Sequence, residues 1–294
     1  MILPVARRLR FAAALGVVVL LAGSSAISAD ATTPTKKGKR RRPHRTFTAP
    51  PAVPRPPDPF RVTLATADGV ELVGSFRPVP GQADAPAVLL LHAFSRDRRE
   101  FEERAGDLTA RGLATLALDL RGHGESIRRR DGRKVPLVPS LQSDPNAFPR
   151  DVEAACAWLR QRSPRVGVLG LSLSGDLAVL ATASGWADAA VAVSANADQL
   201  PALAGSRPTV PRATLVLASE SDPGRAESAR ALDRAGLSPK SLSLYPGAAH
   251  ALDLLVQRPE AWKAAVGWLG ELLGAVPPPV PVVPVPSPTP GGPP

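Results

Sequence analysis

A serine hydroxyl, an imidazole and a carboxylate can together open an acyl bond, and this sequence offers all three in a suggestive arrangement. Ser172 lies in Gly170-Leu171-Ser172-Leu173-Ser174, directly after the apolar stretch that begins at Val166 and directly before a helical pattern. A strand, a sharp turn and a helix at this spacing push a serine hydroxyl out of the backbone, the arrangement known as G-x-S-x-G. Gly170 supplies the position two before the serine at no steric cost. Ser174 stands where the pattern has its second glycine, so its side chain must fit where a hydrogen usually sits. Ser174 cannot itself be the nucleophile in this frame, because Ser172 and Asp176 would flank it where glycines belong. An isolated match of this kind is also compatible with a plain Gly/Ser turn, so the surrounding residues have to decide.

A serine needs a base, and the base needs a group to orient it. The chain has four histidines. His44 falls in a basic stretch, His92 ends an apolar run, and His123 sits in Arg121-Gly122-His123-Gly124. Only His250 follows the serine, on a loop after an apolar strand pattern, where sites collect in open parallel sheets. Leu215–Asp222 (LVLASESD) ends a strand and places Asp222 in the following turn as the first choice of acid; Glu220 and Asp198 are its rivals, and a turn aspartate before a proline is also common loop chemistry. The developing oxyanion requires two backbone N–H groups. Leu173, at the helix start, supplies one. The loop His92-Ala93-Phe94-Ser95 supplies the other, by position from Phe94.

The elements that would position these groups alternate along the chain. Phe60–Leu64 and Val70–Phe76 form two strands around Ala67-Asp68-Gly69. Ala87–Leu91 (AVLLL) is a continuous apolar run of the kind found in parallel strands covered on both faces. Arg98–Arg111 carries Phe101, Ala105 and Leu108 on one helical face and ends at Gly112. Further strands are expected at Leu113–Leu118, Val166–Leu169, Ala189–Ser194, Ala213–Ala218 and Leu242–Tyr245. Helices are expected at Pro149–Gln161, Arg225–Ala235 and Pro259–Leu273, with Ile127–Phe148 as a charged, Pro-rich excursion. The alternation predicts an α/β fold: a three-layer α/β/α sandwich around a mostly parallel, roughly eight-stranded sheet.

The stretches LLLHAF, LDLRGHGES and GLSLSG, the Asp222 turn and His250 resemble, in this order, the α/β-hydrolase fold superfamily, and among its members the compact serine esterases and dienelactone-hydrolase-like proteins. The resemblance covers roughly Phe60 to Leu273. It implies a serine hydrolase with Ser172 as nucleophile, His250 as base and Asp222 as acid; His92 would brace the oxyanion loop and His123 would be a turn residue. It implies no metal and no organic cofactor. Two positions depart from the family pattern: Ala93 replaces a usual glycine, and Ser174 replaces the elbow's second glycine. Serine at the elbow points to ester, thioester or amide chemistry, whereas the dehalogenase and epoxide-hydrolase relatives carry aspartate there. The short connection between Ser194 and Ala213 leaves no room for a large lid domain, although Ile127–Phe148 could form a partial cover. The expectation is a carboxylesterase acting on small-molecule acyl substrates. A serine peptidase of the same fold is the alternative enzyme; an inactive module that binds a polyanionic surface is the alternative without chemistry.

The ends of the chain differ from its middle. Residues 1–29 join a basic start (Arg7, Arg8, Arg10) to the apolar run Phe11–Ala22 and then small residues, the make-up of an export signal. The run is shorter than the ~20 residues that span a bilayer. The basic run from Lys36 opposes translocation, which keeps an uncleaved anchor as the alternative. Residues 30–59 form a basic, Pro-rich linker and residues 275–294 a Pro-rich tail, both too poor in packing residues to fold. The formal net charge is +10, and residues 1–59 hold eleven Lys/Arg against two Asp, so nine of those ten charges sit ahead of the folded body. An anionic surface is the partner such an arm suits; a solvated spacer is the plainer account, and nothing supports specific nucleic-acid recognition. The chain has one cysteine, Cys156, in an apolar helix stretch, so no intramolecular disulfide can form.

Overall fold

A computed structural model of the chain describes residues 58–136, 144 and 146–279. The expected leader, most of the basic linker and the tail beyond residue 279 lie outside these residues. Among the described residues, no helix is long and apolar enough to cross a membrane.

Among the described residues nine strands form one sheet: β1 (Arg61–Ala65), β2 (Val70–Arg77), β3 (Ala87–Leu91), β4 (Ala114–Leu118), β5 (Arg128–Arg129), β6 (Val166–Leu171), β7 (Ala189–Val193), β8 (Arg212–Ser219) and β9 (Leu237–Tyr245). Their spatial order is β1-β2-β4-β3-β6-β7-β8-β9, with β5 paired to β2. Strands β4, β3 and β6 to β9 run parallel, while β2 is antiparallel to β1, β4 and β5. The sheet is therefore mixed, with its antiparallel part confined to the β1–β2 side.

Among the described residues seven helices cover it: α1 (Ala105–Ala110), α2 (Ala147–Arg160), α3 (Leu173–Ala183), α4 (Leu200–Ala204), α5 (Arg225–Ala235), α6 (Leu252–Gln257) and α7 (Pro259–Leu273). Successive side chains of a strand point to opposite faces, and β3 shows why its run had to be apolar throughout. Leu89 and Leu91 enter a core with α2 and α3. Val88 and Leu90 enter a second core with Phe101, α1, α6 and α7. Val179 and Leu180 of α3 join α4, α5, β7 and β8 in a third, smaller cluster. Gly167 lets α7 lie close to the sheet, since a Cβ there would stand 2.9 Å from the side chains of Leu269 and Leu273. Cys156 is buried in the first core, and burial pushes its thiol up to about 12. It is a small core residue.

Several boundaries differ from the sequence expectation. The single helix expected over Arg98–Arg111 is instead a 3-10 turn, Arg98–Phe101, followed after a break by α1. Asp97 caps the turn by accepting the Arg99 N–H at 2.9 Å, Asp119 Oδ1 accepts the Arg98 N–H at 2.7 Å, and the Glu102 and Arg104 N–H groups bond to the Arg99 and Phe101 carbonyls, three residues back, at 2.9 and 3.0 Å. Phe101, Ala105 and Leu108 still bury on one side. α2 begins at Ala147 rather than Pro149, because a proline in the first turn removes an N–H that has no helical acceptor there anyway. β9 extends back to Leu237 through Pro239; it pairs only with β8, and an edge strand tolerates a missing donor. The Ile127–Phe148 excursion contains β5 and a hairpin closed by the Val135 N–H to the Ile127 carbonyl. α6, directly after His250, has no counterpart in the sequence reading.

Two buried ion pairs fix the segment leaving β4. Arg98 pairs with Asp119, and Arg121 bonds to Asp151 at 2.8 Å and to Asp68 at 2.8 and 3.0 Å. Burial alone would raise the Asp68 carboxyl, but the Arg121 and Thr66 hydrogen bonds and the nearby Arg121 and Arg150 charges outweigh it and hold Asp68 well below the usual range. Asp119 and Arg121 of LDLRGHGES thus serve to shape the turn that carries His123.

Candidate active site

The turn between β6 and α3 brings Ser172 to φ 56°, ψ −120°, a left-handed conformation that costs a non-glycine residue roughly 1–3 kcal/mol. The turn is held by the Ser172 N–H on the Val193 carbonyl and the Gly175 N–H on the Ser172 carbonyl, each 2.8 Å. Gly170 makes it possible: a Cβ at that position would lie 1.8 Å from the Ser174 carbonyl oxygen. The Ser174 side chain, the departure from the glycine pattern, is wholly buried, and its hydroxyl donates to the His92 carbonyl at 2.6 Å.

His250 Nε2 lies 2.9 Å from Ser172 Oγ, and His250 Nδ1 lies 2.7 Å from Asp222 Oδ2. A carboxylate can only accept, so Nδ1 carries the proton and Nε2 presents its lone pair to the serine hydroxyl. Glu220 and Asp198, the rival acids, are both exposed, and neither bonds to His250 among the described residues. Flanking bonds fix the histidine loop. Ser219 Oγ donates to the Ala249 carbonyl at 2.6 Å, and the Ala251 N–H donates to Ser194 Oγ at 3.0 Å. These serines, at the ends of β8 and β7, had no sequence signature; only the tertiary approach of the strands to the loop gives them partners.

The Leu173 N–H opens α3, where the first amides of a helix have no intrahelical acceptor and the helix dipole favours negative charge. The facing loop is built around two neutral histidines. His92 Nδ1–H donates to the Ala93 carbonyl at 2.8 Å, while its Nε2 accepts the Leu120 N–H at 3.1 Å. Burial drives His92 down to about 4. His123 is likewise lowered by burial, and its Nε2 accepts the Ser95 N–H at 3.2 Å. His123 also stands edge-on to Phe94, with ring centroids 5.5 Å apart. It therefore shapes the 92–95 loop as well as its own turn.

Ser172, His250, Phe94 and His123 face a cleft of about 920 Å³, with Arg96, Asp97, Arg99, Glu100 and Asp253 on its walls. The helix that follows the serine holds a further unusual group. Asp176 is fully buried; its Oδ1 accepts the Asn196 N–H at 2.8 Å, and among the described residues its Oδ2 has no hydrogen-bond partner. Burial, countered by the Asn196 N–H and the Arg225 charge, pushes this carboxyl well above its ordinary value. Below the ordinary carboxyl pKa both folded and unfolded chains bind the proton. As pH rises past it, the unfolded chain releases the proton first, and stability falls. Asp176→Asn keeps the acceptor without the titration, so its stability relative to wild type should improve between pH 4 and pH 7. Urea denaturation at the two pH values checks this, and an equal difference at both would contradict it.

No protein-family model matches the chain. An uncharacterised 31.7 kDa protein of Escherichia coli is 31% identical over 114 residues, which span 37% of this chain and 36% of that relative. An uncharacterised protein of Mycobacterium tuberculosis is 32% identical over 122 residues, 40% of this chain and 39% of its own length. The matches thus span little more than a third of these relatives. Solved structures match over much more. A dienelactone hydrolase from Anabaena variabilis superposes with a TM-score of 0.58 at 21% identity, over 73% of this chain and 97% of its own. An esterase of Pyrococcus furiosus gives 0.56 at 17%, over 73% and 91%, and an α/β hydrolase from a Penicillium species gives 0.58 at 15%, over 73% and 98%. Together with the mixed sheet and its strand order, these likenesses establish that the described residues adopt the α/β-hydrolase fold.

Proposed function

We propose that the chain is a serine hydrolase, a carboxylesterase that acts on small acyl esters through an acyl-enzyme. The observation that carries this reading is the continuous hydrogen-bonded line from Ser172 through His250 to Asp222. In this mechanism Ser172 Oγ attacks the acyl carbon and passes its proton to His250 Nε2, and Asp222 stabilises the imidazolium that forms. The Leu173 and Phe94 N–H groups receive the oxyanion, each such donor contributing about 10²- to 10³-fold in rate. Collapse of the tetrahedral adduct expels the alkoxide, which takes the proton from His250. Water then attacks the acyl-serine by the same route in reverse and releases the carboxylic acid.

The charged walls of the cleft and the short β7–β8 connection favour short, polar acyl groups over long alkyl chains. The full chain should therefore hydrolyse p-nitrophenyl acetate and butyrate with kcat/KM at least ~10-fold above that for the palmitate ester, because a long alkyl chain would have to lie against the charged walls of the cleft. Preference for the long ester, or cleavage of peptides in place of esters, would overturn the assignment. Export of the chain, with the basic arm of residues 30–59 resting on an anionic surface, belongs to the same proposal. Surface binding by the arm should weaken as salt rises while ester turnover does not, since only exposed, widely spaced charges are screened.

A further inference from the structure

The peptide group joining His92 to Ala93 is pinned at both ends. Its carbonyl accepts Ser174 Oγ–H at 2.6 Å, and its N–H donates to Glu100 Oε2 at 2.8 Å. The next groups along the loop are occupied as well. The Ala93 carbonyl accepts His92 Nδ1–H at 2.8 Å and the Arg96 N–H at 3.0 Å, and the Ser95 N–H is held by His123 Nε2 at 3.2 Å. The Phe94 N–H stands between these tethered groups, and among the described residues no hydrogen bond uses it. It is the amide the loop leaves free.

We infer that Ser174 is a positioning residue: its hydroxyl ties the nucleophile turn to the oxyanion loop and so sets the spacing between the Leu173 and Phe94 N–H donors. The inference rests on the serine-hydrolase reading of the same cleft. Ser174 is the residue next to Leu173, so one hydrogen bond links the backbone that carries the first donor to the peptide adjacent to the second. Oxyanion stabilisation depends on donors that are already aimed before charge develops, because reorientation during the reaction would consume the gain. A glycine at 174, which the elbow geometry accepts most readily, would leave the His92 carbonyl without this partner and the two donors without a direct connection. Glu100 holds the other end of the same peptide, and burial raises its carboxyl above the ordinary value against the pull of the Ala93 N–H and the Arg96 charge. Its bond to the Ala93 N–H is the means by which it acts on the loop.

The test compares Ser174→Ala, Ser174→Gly, Glu100→Ala and Glu100→Gln in the full chain with p-nitrophenyl acetate and with a trifluoromethyl ketone, whose adduct with a serine bears an oxyanion. Misaiming one donor should cost less than deleting it, so both Ser174 variants and Glu100→Ala should lose about 10- to 100-fold in kcat. KM should stay within about two-fold, because the ground-state ester does not yet demand the oxyanion donors. Affinity for the ketone should fall by the same factor as kcat, and Glu100→Gln, which keeps a carbonyl acceptor, should retain most of the activity. The double variant Ser174→Ala/Glu100→Ala should lose less than the product of the single losses, since both act on one peptide. Wild-type kcat and ketone affinity in Ser174→Ala would overturn the inference and leave the serine-hydrolase reading intact. Parallel losses in kcat, 1/KM and melting temperature would also overturn it, by making the hydroxyl a general stabiliser. Absence of turnover in the wild-type chain itself would remove the serine-hydrolase reading, and the inference with it.

Discussion

Ser172→Gly is expected to lower kcat for p-nitrophenyl acetate by about 10⁴-fold or more, the scale set by loss of a nucleophile that acts as a unit with its base. The same variant should be at least as stable as wild type. Ser172 sits at φ 56°, ψ −120°, where glycine carries no Cβ penalty. Relief of that strain, roughly 1–3 kcal/mol, is set against the ~1 kcal/mol of extra chain entropy that glycine brings to the unfolded state. Ser172→Ala separates the two effects, because it removes the same nucleophile but keeps the strained Cβ. Both variants should be inactive, and the glycine variant should be the more stable of the two. Urea denaturation alongside ester kinetics checks the pair. Equal stability would mean the turn stores no strain; retained activity would mean that the chemistry lies elsewhere.

Gly170→Ala should cause the largest loss of stability of any single methyl addition to this site. The new Cβ would stand 1.8 Å from the Ser174 carbonyl oxygen, 2.3 Å from its carbon and 2.9 Å from the Gly175 nitrogen. All three atoms belong to the backbone of the first turn of α3, so no side chain can rotate away. Relief requires moving α3 off β6, and α3 is packed into two of the three cores. A loss of ~3 kcal/mol or more is expected, at the upper end of overpacking effects. Molecules that remain folded should also lose turnover, because the shift displaces Ser172 and the Leu173 N–H together. By contrast, a Cβ added at Gly267 meets no atom within 4 Å. Gly267→Ala should therefore change stability by no more than the ~1 kcal/mol that separates alanine from glycine in a helix, in alanine's favour. A small effect at Gly170 would mean that the elbow relaxes more easily than its contacts indicate.

The parts of this fold that were legible from sequence were those in which a local pattern and a tertiary need coincide. The AVLLL run had to be a strand covered on both faces, and both of its faces feed cores. The Arg225–Ala235 and Pro259–Leu273 helices carry their own stop or start, Gly236 and Pro259, and their bounds match the periodicity. Asp222 and Asp198 both follow strand ends and Glu220 lies beside Asp222, and of the three it is Asp222 whose carboxylate meets His250. Where tertiary contacts overrode local pattern, the reading missed. The helix expected from Arg98 divides into a 3-10 turn and α1, and the buried pairing of Arg98 with Asp119 across 21 residues is one that no periodicity reveals. β9 runs past Pro239 because it is an edge strand, a fact of sheet order and not of composition. The hydroxyls of Ser174, Ser194 and Ser219 and the carboxylate of Glu100 find their acceptors or donors only once strands, loop and helix are assembled. In the sequence Ser174 looked like a departure from a motif. In the folded chain it is a buried donor with a defined acceptor.

The central claim is that Ser172 is an activated nucleophile, and a fluorophosphonate probe tests it most directly, because the reagent forms a stable adduct with a serine whose hydroxyl is deprotonated by a neighbouring base and whose oxyanion is received by aimed N–H groups. The full chain is treated with the probe and digested, and the adduct is located by mass spectrometry, with Ser172→Ala and His250→Ala carried in parallel. The account predicts one adduct, on Ser172, absent in Ser172→Ala and strongly slowed in His250→Ala. An adduct on another serine, or none on a folded sample, would contradict it.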